Sequence, residues 1–81
     1  MARSIDPLAK AVRLYRFMTG TTQNELAKLT GIDQAMWYRV ENGKINATLN
    51  MKRAFNKLVS PEQQKQLLEI YNQLEGLNLD E

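Results

Sequence analysis

The stretch "TTQNELAKLTGIDQAMWYRVENGK", Thr21 to Lys44, contains two helix starts on either side of one central glycine. Thr22 with Glu25 three positions later is a capping box, in which each side chain satisfies a backbone N–H that a helix start leaves unbonded. Gly31 suits the bend after the first helix, and Asp33 caps the second. Because helices this short are unstable alone, the stretch predicts two helices that brace each other across a sharp turn.

Three further helix starts lie outside this stretch. Asp6 is suited to cap a helix whose first residue is Pro7, and Thr48 is suited to cap another helix. "SPEQ", residues 60–63, is another capping box, which predicts a helix through Glu75 that stops before Gly76, with residues 77–81 frayed. No stretch alternates with the period of two that a strand needs. The sequence therefore predicts an all-α, compact five-helix fold.

Apolar residues at helical spacing predict which faces are buried. In chain order they are Leu8, Val12, Tyr15 and Met18; Leu26, Ala27 and Leu29; Ile32, Trp37 and Val40; Met51, Phe55 and Leu58; and Leu67, Ile70, Tyr71 and Leu74. The last group, on helix 5, has two possible uses: it covers the core of its own chain, or it forms a dimer contact. We divide the single domain into a core of residues 1–59 and a C-terminal helix and tail of residues 60–81.

The composition excludes several classes of function. The 81 residues contain no cysteine and no histidine, which rules out disulfides, thiolate or imidazole catalysis and the usual zinc sites. No nucleophile has a base to activate it, so we expect neither an enzyme nor a cofactor. The N-terminus lacks the apolar segment of a signal peptide, and no apolar run approaches the ~18 residues that span a bilayer. We expect a cytoplasmic protein without a membrane partner.

The charge is divided unevenly along the chain. Residues 1–58 carry ten Lys or Arg and four Asp or Glu, a net charge of +6. Residues 59–81 carry one Lys and five Asp or Glu, a net charge of −4. A basic body of this kind suits a polyanionic partner, although ordinary solvated charge gives the same pattern. The acidic C-terminal part is then free for another contact.

In helix 3, the helix that Asp33 caps, the inner face is predicted to be buried. The residues left on its outer face form a polar, aromatic and basic strip: Gln34, Ala35, Tyr38 and Arg39. A glutamine amide forms two hydrogen bonds with an adenine edge, and an arginine does the same with guanine. The methyl group of an alanine can contact a thymine methyl. These residue types are suited to reading bases in the major groove of DNA.

The segments "TQNELAKLTGIDQ", 22–34, and "RVENGK", 39–44, resemble the lambda repressor and Cro-like helix-turn-helix family, also called the XRE type. The resemblance implies a DNA-binding domain in which helices 2 and 3 form the helix-turn-helix. It implies that the outward strip contains the base-reading positions. It also implies phosphate contacts and a structural ion pair beneath helix 3. The phosphate contacts fall on Gln23, Asn42 and Lys44, and the ion pair on Arg16 and Glu41.

The leading hypothesis is therefore a sequence-specific DNA-binding transcriptional regulator, a small repressor of the phage, plasmid or mobile-element kind. It would bind double-stranded DNA at an inverted-repeat operator as a homodimer through helix 5, at the nucleoid. One alternative is an antitoxin that autoregulates a toxin-antitoxin operon and docks its toxin through the acidic helix 5. Another is a protein-interaction adaptor that kept the fold and lost DNA binding.

Overall fold

The computed structural model describes residues 6–78, with side chains through Glu75, and over this range the protein is helical with no strand. The helices are α1 (Pro7–Thr19), α2 (Gln23–Thr30), α3 (Gln34–Glu41), α4 (Leu49–Leu58) and α5 (Pro61–Asn78). The all-α prediction and the number of helices are confirmed. No helix in the described range is both long and apolar enough to cross a bilayer.

Each helix starts at the predicted cap. Asp6 accepts a hydrogen bond from the Leu8 N–H at 2.9 Å, and its second carboxylate oxygen accepts from the Ala47 N–H at 3.0 Å. In the capping box, the Glu25 N–H donates to the Thr22 hydroxyl at 3.1 Å and the Thr22 N–H donates to the Glu25 carboxylate at 2.9 Å. The other starts are capped by Asp33, by Thr48 and by the Ser60–Gln63 pair. Local sequence thus determines where the helices begin.

The predicted end of α5 is wrong. The helix continues through Gly76 to Asn78, so Leu77 and Asn78 are helical rather than frayed, and residues 79–81 of the predicted tail lie outside the described residues. One glycine within a helix costs only about 1 kcal/mol relative to alanine. A helix of 18 residues that packs along another helix tolerates that cost.

The core lies between α1, α2, α3 and α4, and Leu26 of α2 is fully buried in it. Its buried members are Leu8, Ala9, Ala11, Val12, Leu26, Trp37, Val40, Ala47, Met51, Phe55 and Val59. The Phe55 ring is its centre, since Trp37 and Tyr15 meet it edge-on with ring centroids 6.5 and 5.6 Å away. Met18 and Leu29, which were predicted to face inward, are exposed instead. Both lie in the last turn of their helices, where the packing of the neighbouring elements leaves them uncovered.

α5 packs mainly against α1, and this contact uses half of its predicted apolar face. Leu67 packs against the core, and Tyr71 is half-buried with its hydroxyl 3.5 Å from an Arg13 guanidinium nitrogen. The Lys10 ammonium lies 5.9 Å from the centre of the Tyr71 ring and 3.5 Å from the Glu75 carboxylate. α5 therefore covers its own core with one side, and its other side remains at the surface.

Candidate nucleic-acid interface

A three-residue connection, 31–33, holds α2 and α3 close together. Gly31 ends α2 with φ +73°, a left-handed conformation that strains residues with a side chain, and its N–H donates to the Ala27 carbonyl at 2.8 Å. Asp33 then accepts from the Ala35 N–H and begins α3. The short connection leaves little freedom in the angle between the helices.

Trp37 anchors the inner side of α3. Its side chain is fully buried, and its indole N–H donates to the Thr30 hydroxyl at 3.1 Å. That hydroxyl in turn donates to the Leu26 carbonyl at 2.7 Å. The largest side chain of the core therefore has its one polar atom satisfied, and the bond joins the end of α2 to the middle of α3.

A buried ion pair fixes the C-terminal turn of α3 to α1. Arg16 donates from Nε to one Glu41 oxygen at 2.8 Å and from Nη2 to the other at 2.7 Å, while Nη1 donates to the Thr21 carbonyl at 3.3 Å. The Glu41 side chain is only 5% exposed. Because a bidentate guanidinium and carboxylate pair is planar and directional, it sets the orientation of the helix that carries it.

Two glutamine amides continue this network toward the surface. Gln23 donates from Nε2 to Glu41 at 3.3 Å, and Gln34 donates from Nε2 to the Gln23 carbonyl oxygen at 2.8 Å. A carboxylate that pairs with an arginine only accepts hydrogen bonds, so Gln23 turns its NH₂ toward Glu41 and its oxygen toward Gln34. Gln34 is thereby oriented too, and it keeps its oxygen and one N–H for an outside partner.

Sequence reasoning treated Gln23 and Gln34 separately and missed the bond between them. The available signal was positional. Each is the first residue of its helix, but only the angle at which α2 packs on α3 brings the two amides together.

The outward strip lies on the surface side of α3. Ala35, Tyr38 and Arg39 are exposed, and Gln34 is half-buried at the start of the helix. The segment 34–40 contains no acidic residue and Glu41 is buried, so the exposed side of α3 carries one positive charge, on Arg39. The strip covers the first six of the eight residues of α3, about 9 Å along the helix axis.

The expected phosphate-contacting residues lie at opposite ends of α3. Gln23 lies beside Gln34 at the start of the helix. Asn42 is the C-cap of α3, and its side-chain amide donates to the Tyr38 carbonyl at 2.8 Å. Lys44 follows Gly43, which has φ +72°, and its side chain is exposed. The exposed strip is thus bordered at both ends by polar or basic groups.

Within residues 6–78 no group of three or more acidic residues is placed to hold a metal ion. Comparison with family models, curated proteins and solved structures found no match for the chain.

Proposed function

We propose that this protein is a sequence-specific regulator that binds double-stranded DNA with α3 in the major groove, in a lambda repressor-like helix-turn-helix arrangement of α2 and α3. The observation that carries the proposal is the division of α3 into two sides. Trp37 and Glu41 are bound to the rest of the fold on one side, while Ala35, Tyr38 and Arg39 are exposed on the other. A rigidly held helix with an exposed polar strip is what direct base readout requires.

The chemistry of each outward residue supports this role. The oriented Gln34 amide keeps one acceptor and one donor, the pair of groups that bonds an adenine edge. Arg39 can bond guanine through two N–H groups, and the Ala35 methyl can contact a thymine methyl. Tyr38 completes the strip, one turn after Gln34. An α-helix of about 10–12 Å diameter fits a major groove about 12 Å wide.

Backbone contacts would position this strip on the duplex. Gln23 lies beside the start of α3 and Asn42 and Lys44 follow its end, so contacts from these residues would place phosphates on either side of the strip. Only Lys44 of the three is charged, so it is the one expected to release a counterion on binding. The net charge of +6 on residues 1–58 adds a general attraction to DNA.

One chain of this size contacts only a few base pairs. Specific binding therefore needs two chains on an inverted repeat, with half-site centres about 34 Å apart or a multiple of that distance. We propose a small repressor in the cytoplasm that blocks a promoter by occupying such an operator as a dimer through α5.

The test is selection from a random duplex library with the purified protein, followed by binding measurements on the enriched sequence. Arg39→Ala should relax preference at one base pair, with a loss of about 1–3 kcal/mol there. Lys44→Ala should weaken binding equally on all sequences and lower the salt slope by about 0.9 per chain. Enrichment of no motif, or binding that is indifferent to salt, would refute the proposal.

A further inference from the structure

The pair Asn42 and Gly43 joins α3 to the loop that follows it, and it is a chemically labile sequence. Asn42 is the one asparagine of the chain that precedes a glycine, since each of the others precedes a residue with a side chain. A glycine leaves its backbone nitrogen unhindered, so this nitrogen can approach the side-chain amide of the preceding asparagine. The Asn42 side chain is also exposed to water. Sequence and exposure together make Asn42 a candidate for deamidation.

Deamidation at this pair needs only water. The Gly43 backbone nitrogen forms a bond to the carbonyl carbon of the Asn42 side chain, and the bond from that carbon to the amide nitrogen breaks. The amide nitrogen leaves as ammonia with the proton of the Gly43 N–H, which leaves a five-membered succinimide ring. One water molecule then opens the ring at either carbonyl. The product is aspartate or isoaspartate at position 42, without oxidation or reduction.

The folded turn holds the reacting atoms apart. Asn42 has ψ 10°, which makes the Gly43 nitrogen nearly eclipse the backbone nitrogen of Asn42 rather than its Cβ. The ring needs that nitrogen and the Cβ on the same side of the Cα–C bond, so ψ must rotate first. The rotation breaks the bond from the Gly43 N–H to the Val40 carbonyl, 3.1 Å long. It also breaks the bond from the Lys44 N–H to the Arg39 carbonyl, 2.8 Å long, so the last turn of α3 must open before the reaction.

We propose that Asn42 deamidates spontaneously when the last turn of α3 opens, and that the modified chain binds DNA more weakly. The first half rests on the geometry of the turn alone. The second half rests on the proposed function, in which Asn42 is one of the phosphate-contacting residues. A chain bound to its operator keeps the turn closed, so the modification falls on unbound copies.

Either product changes the end of α3 in a way that disfavours DNA. A carboxylate adds a negative charge beside the expected phosphate, at the end of the helix that is already partly negative. It also has no N–H to replace the side-chain donor that bonds the Tyr38 carbonyl at 2.8 Å. Isoaspartate in addition inserts one carbon into the backbone before Gly43, which displaces the exposed Lys44. We expect operator binding to weaken at least about tenfold.

Mass spectrometry of the whole chain tests the modification without DNA. The folded protein is incubated at neutral pH, and brief digestion with trypsin releases residues 40–44, "VENGK", because cleavage follows Arg39 and Lys44. The two products differ from the asparagine form in mass and from each other in chromatographic retention, and a zero-time digest corrects for reaction during digestion. Residues 45–52 are released in the same digest, and Asn46, which precedes an alanine in the same loop, is the internal control that should stay unmodified.

A synthetic peptide of residues 37–47 gives the rate without the fold, since a helix this short is unstable alone. The folded chain should deamidate about tenfold to a hundredfold more slowly, because two backbone hydrogen bonds must break first. Higher pH should speed both reactions, since the attacking nitrogen must lose its proton, and urea that unfolds the chain should bring its rate to that of the peptide. A folded chain as fast as the peptide, or one without product after about a hundred half-lives of the peptide, would overturn the proposal.

Asn42→Asp supplies the aspartate product directly for binding measurements on the selected operator. It should bind at least about tenfold more weakly than the wild type. Asn72→Asp is the matched control, because it makes the same charge change at an exposed position of α5, and it should bind within about twofold of the wild type. Excess operator should also slow deamidation of the wild-type chain, because DNA favours the closed turn.

These binding measurements separate the inference from the proposed function. Asn42→Asp that binds the operator as tightly as the wild type, or a deamidation rate that the operator leaves unchanged, would overturn the second half of the proposal and keep the DNA-binding function. A chain that selects no DNA motif would refute the proposed function and with it the loss of binding, whereas the mass measurement decides the modification by itself.

Discussion

Replacing Arg16 with methionine should remove a large share of the stability of this domain. The change deletes both hydrogen bonds to a carboxylate that is only 5% exposed and leaves Glu41 with the Gln23 amide as its remaining donor. Breaking a buried pair from one side costs about 3–5 kcal/mol. Because the Arg16 side chain is 24% exposed, water can reach part of the vacated space, and we expect about 3 kcal/mol.

A cost of that size is easily measured in a small domain. At about 4–8 °C per kcal/mol it lowers the melting temperature by roughly 12–24 °C. Urea unfolding followed by circular dichroism and by the fluorescence of Trp37, the single tryptophan, gives the free energy of unfolding. Arg13→Met is the matched control on the same helix, since Arg13 is exposed and its loss should change the free energy of unfolding by less than about 0.5 kcal/mol.

The double variant Arg16→Met with Glu41→Leu shows whether the cost comes from the orphaned charge. An apolar pair of similar volume can be about as stable as a buried ion pair, so the double variant should recover about 2 kcal/mol of the loss. Two results would contradict this role of the ion pair. One is a cost of Arg16→Met no larger than that of Arg13→Met. The other is a double variant whose loss equals the sum of the losses of Arg16→Met and Glu41→Leu measured singly.

Three further changes test other contacts. Thr30→Val leaves the buried indole N–H of Trp37 without its acceptor and should cost about 1–3 kcal/mol in urea unfolding. Asp6→Ala removes both the cap of α1 and the bond to the Ala47 N–H, so we expect a loss of about 2 kcal/mol, which Asp6→Asn should reduce; equal losses would contradict the capping role. Gly31→Ala should cost about 1 kcal/mol through its left-handed backbone alone, because nothing lies within 4 Å of the added methyl group; thermal unfolding measures this, and a loss above about 3 kcal/mol would indicate a clash.

Helix starts could be predicted from sequence because a cap is a local signal. Thr22 and Glu25 bond each other's backbone N–H across three residues, and Ser60 and Gln63 do the same. Such bonds need no information about the rest of the fold. The end of α5 was predicted wrongly because Gly76 was interpreted as a stop. A glycine only weakens a helix, and the packing of the whole helix determines where it ends.

Burial was predicted less well than helix position. Helical spacing gives the direction in which Met18 and Leu29 point, but not whether a neighbouring helix extends far enough to cover them. The face of α5 shows the same effect, since Leu67 is covered by the core whereas Ile70 remains exposed. How far one helix overlaps another depends on crossing angles, which no single segment specifies.

The candidate interface, too, could be predicted from the sequence only in part. The outward positions of α3 follow from spacing, because the buried positions of a short helix leave few others. The bonds that join Gln34, Gln23 and Glu41 connect residues 11 and 18 positions apart and exist only once α2 and α3 are packed. Binding of DNA by these residues stays a prediction.

The separation of α3 into a packed and an exposed side makes this helix suitable for combinatorial variation. Trp37, Val40 and Glu41 hold it in the fold, whereas Ala35 and Arg39 are exposed. Substitutions at such surface positions usually change stability by less than about 0.5 kcal/mol. A library randomised at the exposed positions should therefore consist largely of folded members, and new binding preferences could be selected from it without redesigning the scaffold.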